Sequence, residues 1–178
     1  MLTASRRQRG ATLLEFLIAF SILGILVATA VPSFRDWIIN SQVRTAADTI
    51  NSGLQLARTE AVRRNTRVRW TLADSTGGSW VVNVPATGAT IQTRSGNEGT
   101  ISTLVISTQN DIVFNGVGWV TPTPNAAIQI NVSNPGAGAC QAAGGGGGPV
   151  RCLRLLVGAG GQVRMCDPVL GSSSAAAC

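Results

Sequence analysis

RRQRGATLLEFLIAFSILGILVATAVPSF (residues 6–34) sets three arginines and a glycine in front of an apolar run that carries one acid. Between Ala11 and Val31 there are 21 residues, and Glu15 is the only charged one. At about 1.5 Å per residue, a helix of that length crosses about 30 Å of hydrocarbon. The run predicts a membrane helix. The arginines ahead of it place Met1–Gly10 in the cytoplasm and the chain beyond Phe34 on the far side of the inner membrane. A cleaved secretory signal is the competing reading, because Ala28-Thr29-Ala30 has the small-residue pattern of a cleavage site. Glu15 weighs against it: an ionised side chain inside an apolar segment costs about 2.5–3.5 kcal/mol on insertion scales, so such residues have a partner or a role. Cutting after Gly10 would put the new amine of Ala11 about one helical turn from Glu15. In a bundle of parallel, axially offset helices, that amine can meet the Glu15 of a neighbouring subunit.

Pro32 predicts a kink rather than an end, because the helical pattern resumes behind it. Ile39, Val43, Ala46, Ile50, Leu54, Ala57 and Ala61 recur at steps of three and four and share one face. Asn40, Arg44, Asp48, Asn51, Gln55 and Arg58 fill the other, with Arg44 and Asp48 spaced to pair. Arg63, Arg64 and Asn65 mark the helix end. The first half is apolar all round; the second has one stripe that a folded domain must cover.

After Asn65 the pattern turns to short alternating or β-branched runs at 67–72, 79–84, 101–107, 111–114, 118–121, 127–132, 151–157 and 162–165. Gly, Pro, Asn and Ser separate them, so they read as strands. Asn115-Gly116 signals a tight hairpin, and Gly160-Gly161 a second turn. The glycine run within 142–149 reads as a flexible loop. It is no phosphate cradle, since the Gly-Lys-Ser/Thr that ends one is impossible in a chain without lysine. The fold class is α+β: one long helix packed on an antiparallel sheet or sandwich.

Composition excludes several chemistries. Without histidine there is no Ser-His-Asp or Cys-His nucleophile system and no commonest zinc ligand, and no two carboxylates lie close enough in sequence to work as an acid/base pair. We expect neither catalysis nor a metal or cofactor. Asp167-Pro168 reads as a turn. Trp37, just past the apolar run, reads either as a marker of the membrane interface or as a packing residue. Cys140, Cys152, Cys166 and Cys178 match no zinc spacing, and their even number in an exported domain predicts two disulfides. Pairing Cys140 with Cys152 and Cys166 with Cys178 is favoured, each closing a short loop worth about 3 kcal/mol. The other two connectivities stay open.

The stretch Arg9-Gly10-Ala11-Thr12-Leu13-Leu14-Glu15 with its apolar run and Pro32-Ser33-Phe34 resembles the leader and N-terminal helix of type IV pilins and type II secretion pseudopilins. Leu56-Ala57-Arg58-Thr59-Glu60-Ala61-Val62-Arg63-Arg64, Phe114-Asn115-Gly116-Val117-Gly118 and Gly161–Pro168 resemble the GspH/FimT branch, the minor pilins and minor pseudopilins. The resemblance implies a pilin-like fold with residues 1–10 as a prepilin leader. Residues 11–35 would form the membrane and assembly half of the helix, 36–65 its amphipathic half, and 66–178 a periplasmic β-rich domain. It also implies that a prepilin peptidase cuts after Gly10 and methylates Ala11, and that Glu15 supports docking with other pilins or pseudopilins. The first mature residue of the family is usually phenylalanine; here it is Ala11.

Nucleic acid is the remaining partner to weigh. Arg58, Arg63, Arg64, Arg67 and Arg69 cluster, and Arg151, Arg154 and Arg164 return late in the chain. Arginine suits phosphate. Some FimT-like proteins take up DNA through a Gly-Arg-x-Arg motif, to which Gly161-Gln162-Val163-Arg164 corresponds with one arginine missing. The competing reading is a solvated surface in a chain that uses arginine for every basic residue. Without Arg6, Arg7 and Arg9 the net charge falls from +6 to +3.

Overall fold

The computed structural model describes residues 12–96, 98–100, 102–141 and 148–178. The expected leader, Gly10 and Ala11 lie outside them, as does most of the glycine run. The chain forms two compact units, Met1–Trp37 and Ile38–Cys178. Helix α1 (Leu13–Arg64) supplies the described part of the first and the opening of the second, and its helical backbone runs through position 32 without interruption.

In the second unit eight strands follow: β1 (Val68–Asp74), β2 (Ser79–Asn83), β3 (Thr90–Arg94), β4 (Leu104–Ser107), β5 (Asp111–Phe114), β6 (Ile128–Ser133), β7 (Leu153–Val157) and β8 (Val163–Cys166). They make two four-stranded sheets, ordered β3-β2-β1-β5 and β4-β6-β7-β8, with every strand pair antiparallel. Alternation sets the faces: Val68, Trp70 and Leu72 of β1 point into the core with Trp80 and Val82 of β2 and Ile112 and Phe114 of β5, while Ile128, Ile130, Val132, Leu155 and Val157 do so from the other sheet.

The stripe of α1 closes this core. Val43, Ala46, Ala47, Ile50, Leu54, Ala57 and Ala61 are fully buried in it, and Ile39 packs at its margin. Gly53 lies on the same face and is buried. A Cβ there would come within 2.8 Å of Trp80 Cε2 and 2.9 Å of Trp70 Nε1, so only glycine lets the helix backbone rest on the two indoles.

The helix end is built locally. Asn65 takes the left-handed conformation at φ 48°, and the amides of Asn65 and Thr66 donate to the carbonyls of Val62 and Ala61, the Schellman pattern. Glu60 is gripped by a fork: Arg63 Nε and Nη2 lie 2.9 and 2.7 Å from its two oxygens, and Arg64 Nε lies 2.7 Å from the second. Hydrogen bonds from Arg63 and then Arg64 hold the Glu60 carboxyl at about 2 instead of its usual 4.5.

Two expectations about strands are corrected. Residues 118–121 form no strand; only an isolated bridge joins Phe114 to Val120. Asn115-Gly116 is not a two-residue hairpin turn but the start of a four-residue one: the Gly118 amide donates to the Asn115 carbonyl, and Asn115 Oδ1 accepts from Val117 and Trp119. Gly118 has φ +82°, and its carbonyl accepts from Arg58 Nε at 3.2 Å, which ties the loop to α1. Strand β3 was not expected at all: Thr-Ile-Gln-Thr-Arg has little apolar alternation, as suits a half-exposed edge.

Among the described residues every buried side chain lies at or beyond Val43, so residues 38–178 retain this core. In that fragment Gly53→Ala gains about 0.8–1 kcal/mol of helix propensity but must displace two rigid rings, at about 1–3 kcal/mol. The expected outcome is a thermal midpoint lower by a few degrees; a raised midpoint would show that the helix does not rest on the tryptophans. The Glu60 grip predicts a pH dependence of known sign. Since the folded carboxyl sits below its ordinary value, its stabilisation is complete above about pH 4.5 and disappears as pH falls through about 2. The stability difference between the native fragment and Glu60→Gln should therefore close over that window, as measured by denaturant melts at stepped pH.

Candidate assembly site

Among its described residues the unit ending at Trp37 holds no core. Leu13, Leu14, Phe16, Leu17, Ile18, Phe20, Ile22, Leu23, Ile25, Leu26, Val27, Val31 and Phe34 are each more than half exposed, around the full circumference of the helix. It is the one described helix long and apolar enough to cross a membrane. Its hydroxyls are already satisfied. Ser21 Oγ donates to the Leu17 carbonyl at 2.8 Å, Thr29 Oγ1 to Leu26 at 2.9 Å and Ser33 Oγ to Ala30 at 2.9 Å, so none of the three needs water. Phe34 and Trp37 close the segment with ring centroids 5.7 Å apart, both largely exposed.

Glu15 remains as the polar group that the helix does not absorb. Its place is nonetheless prepared. Thr12 caps the helix: its carbonyl accepts from the Phe16 amide and its Oγ1 from the Glu15 amide, both at 3.3 Å. Thr12-Leu13-Leu14-Glu15 thus has the order of a capping box, with the acid in the first turn, where the helix dipole favours negative charge. Beside the subunit docking expected of Glu15, the capping contact adds a local role that the Thr-x-x-Glu spacing also signals.

The remaining candidate residues lie in the second unit. Cys140 is bonded to Cys152 and Cys166 to Cys178. The second bridge holds residues 176–178 against the end of β8, with Asp167 and Ala177 in a parallel bridge. Asp167 is buried, and its Oδ1 accepts from the Val169 amide, an Asx turn that spans Pro168.

The three late arginines all have intramolecular work. Arg154 Nε donates to Asn131 Oδ1 at 2.7 Å, Arg164 Nη2 to the Ala177 carbonyl at 2.7 Å, and Arg151 Nη1 stands 3.7 Å from Asp167 Oδ2. In the earlier cluster Arg58, Arg63 and Arg64 are likewise engaged. Trp70, the one aromatic among them, is fully buried. Among the described residues no three metal-ligating side chains come together.

Comparison with known proteins agrees with this arrangement. The family described as type II transport protein GspH matches residues 46–161, and the prokaryotic N-terminal methylation motif matches residues 5–31. A fimbrial protein of Pseudomonas aeruginosa is 28% identical over 147 residues, covering 68% of this chain and 95% of its own. One from Moraxella nonliquefaciens is 44% identical over 48 residues, covering 27% of this chain and 30% of its own. A crystal structure of the type IV minor pilin FimU of Pseudomonas aeruginosa shares the fold, with a TM-score of 0.57 at 18% identity over 75% of this chain and 92% of that one. With the GspH profile spanning most of the β-rich unit and the methylation motif lying over the apolar helix, the chain belongs to the GspH family of pilin-like proteins.

Proposed function

We propose that the protein is a minor pilin or pseudopilin, a structural subunit without catalytic activity. It enters a type IV pilus or a type II secretion pseudopilus through the first half of α1, near the end that primes assembly. The supporting observation is the pairing of a fully exposed apolar helix with one acid at its capped start. Such a helix is soluble only in lipid or among other helices, and the acid requires a cationic partner in either place. A prepilin peptidase that cuts after Gly10 and methylates Ala11 supplies that partner, the new amine, which Glu15 of an adjacent subunit receives. The helix then lies in the inner membrane before assembly, with the β-rich unit in the periplasm. Pro32 sits where the apolar half gives way to the amphipathic half and provides the kink between them.

Uptake of DNA is the weaker reading, because Arg151, Arg154 and Arg164 are each held by a partner within the chain.

Two experiments test the assembly reading. The mass of the membrane-purified protein should correspond to a methylated chain beginning at Ala11; a chain beginning at Val31 would instead show a removed signal peptide. Glu15→Gln is the informative substitution, since glutamine also serves at the third position of a capping box. Helix start, insertion and folding should survive, while incorporation into filaments falls by at least about tenfold, the equivalent of one 1.4 kcal/mol interaction. Unchanged incorporation would remove the charge from the mechanism.

A further inference from the structure

A second feature of the β-rich unit lies apart from the apolar helix. Of the outer strands of the two sheets, β5 is followed by residues 119–121, which bond back to it: the Asn115 amide donates to Trp119 and the Thr121 amide to Val113. Strand β4 is flanked by Ser75 and Thr76 through the Val105 amide and the Leu104 bridge, and residues 176–178 close on the end of β8. Strand β3 differs. Among the described residues nothing but β2 pairs with the backbone of Thr90–Arg94. Its outer edge is a row of unused amides and carbonyls.

Beside β3 lies a cleft of about 410 Å³ lined by Ser52 and Leu56 of α1, Trp80 of β2, Gln92 and Arg94 of β3, and Glu98. Arg94 and Trp80 face each other across β3 and β2. The Arg94 side chain is only 8% exposed. Its Nη2 reaches the Glu98 carbonyl and Thr100 Oγ1 at 3.4 Å each, and its Nε stands 3.9 Å from Glu98 Oε2. Among the described residues Arg94 Nη1 is buried with no acceptor, and so is Trp80 Nε1. Both groups only donate, so what completes them must bring acceptor atoms. Leaving such buried donors unmet costs about 1–3 kcal/mol each.

We propose that this cleft docks an extended, acid-bearing segment of a partner protein. The segment's backbone adds a strand to the free edge of β3, and one of its carboxylates reaches Arg94 Nη1. A strand edge is matched only by another peptide backbone, which selects a protein over a nucleic acid or a lipid. A buried guanidinium in a chain of net positive charge selects an acid over a neutral side chain. The inference holds whether or not the chain enters a filament.

The test uses residues 38–178 with both disulfides formed and a pair of short, terminally blocked peptides of alternating threonine and valine, one with a central glutamate and the other with glutamine. The glutamate peptide should move the Trp80 indole N–H resonance and slow hydrogen exchange at the amides of Thr90–Arg94. The glutamine peptide should bind about tenfold more weakly, a difference of 1.4 kcal/mol. Arg94→Gln should erase that preference. Should that variant disturb the loop that Arg94 holds, Glu98→Gln provides the independent check: removing the competing carboxylate should tighten the glutamate peptide alone. Three results would overturn the proposal: no change at β3 with either peptide at millimolar concentration, equal affinity for the two, or an indole shift produced equally by sodium acetate with no protection of β3.

Discussion

The contact between the smooth face of α1 and the two tryptophans is what the rest of the β-rich unit depends on. Gly53 brings the helix backbone down on Trp70 and Trp80, and the alanines at 46, 47, 57 and 61 keep the same face low along its length. Neither sheet could bury its inner face without this wall: each has one apolar side, and α1 contributes Val43, Ile50 and Leu54 to a core they share. Small residues do here what larger ones cannot, since close approach raises the number of dispersion contacts while side-chain entropy lost on ordering stays near zero for glycine and alanine. The helix is therefore part of the globular unit, and a domain boundary drawn at its end would cut through the core.

That dependence explains the division of labour along a single helix. From Leu13 to Phe34 the surface is apolar on every side; from Ile38 onward one face is apolar and the other carries Arg44, Asp48, Gln55 and Thr59. The polar face is held together modestly: Arg44 and Asp48 lie 3.8 Å apart with both side chains exposed, a pair worth at most about 1 kcal/mol. The Glu60 fork is better built, because two arginines approach one carboxylate at 2.7 Å and fix the last turn just before Asn65 reverses the chain. Electrostatics thus finishes the helix at one end, with Glu60 among cations, and begins it at the other, with Glu15 in the turn that Thr12 caps.

Much of this was legible because helical and strand periods are carried by few residue types. The stripe from Ile39 to Ala61 shows at steps of three and four, and Arg63-Arg64-Asn65 marks the stop that the structure places at Arg64. Ala47 escaped because the steps of three and four run through its neighbour Ala46, and Gly53 because a mid-helix glycine looks like a defect until its neighbour across the core is known. Strand β3 escaped for the opposite reason. An edge that is half exposed has no need of apolar alternation, so Thr90–Arg94 resembles a loop in every local property. Residues 118–121 differ from expectation because Gly-Trp-Val-Thr has strand composition, while the segment is tied down by the hydrogen bond from Arg58, sixty positions away, to the Gly118 carbonyl. The arginines were ambiguous in sequence for the same cause: whether one is free to meet a phosphate depends on partners such as Asn131 and Ala177 that no local window contains.

The two acids of α1 show how far a carboxylate's meaning depends on what lies beside it. Glu60 has its cations within about one turn of its own helix, so its charge is already compensated within the chain. Glu15 has a threonine cap and the helix dipole, which orient it without supplying a full positive charge. In water that difference is small. In hydrocarbon, where an ion finds no other compensation, it is worth several kcal/mol. Among the described residues no cation compensates Glu15, and under the assembly proposed above this is the group that would draw the helix toward a neighbour carrying the missing charge. If the chain is cut after Gly10 as proposed, the new amine exists only on processed chains, and the same preference separates mature subunits from those still carrying a leader.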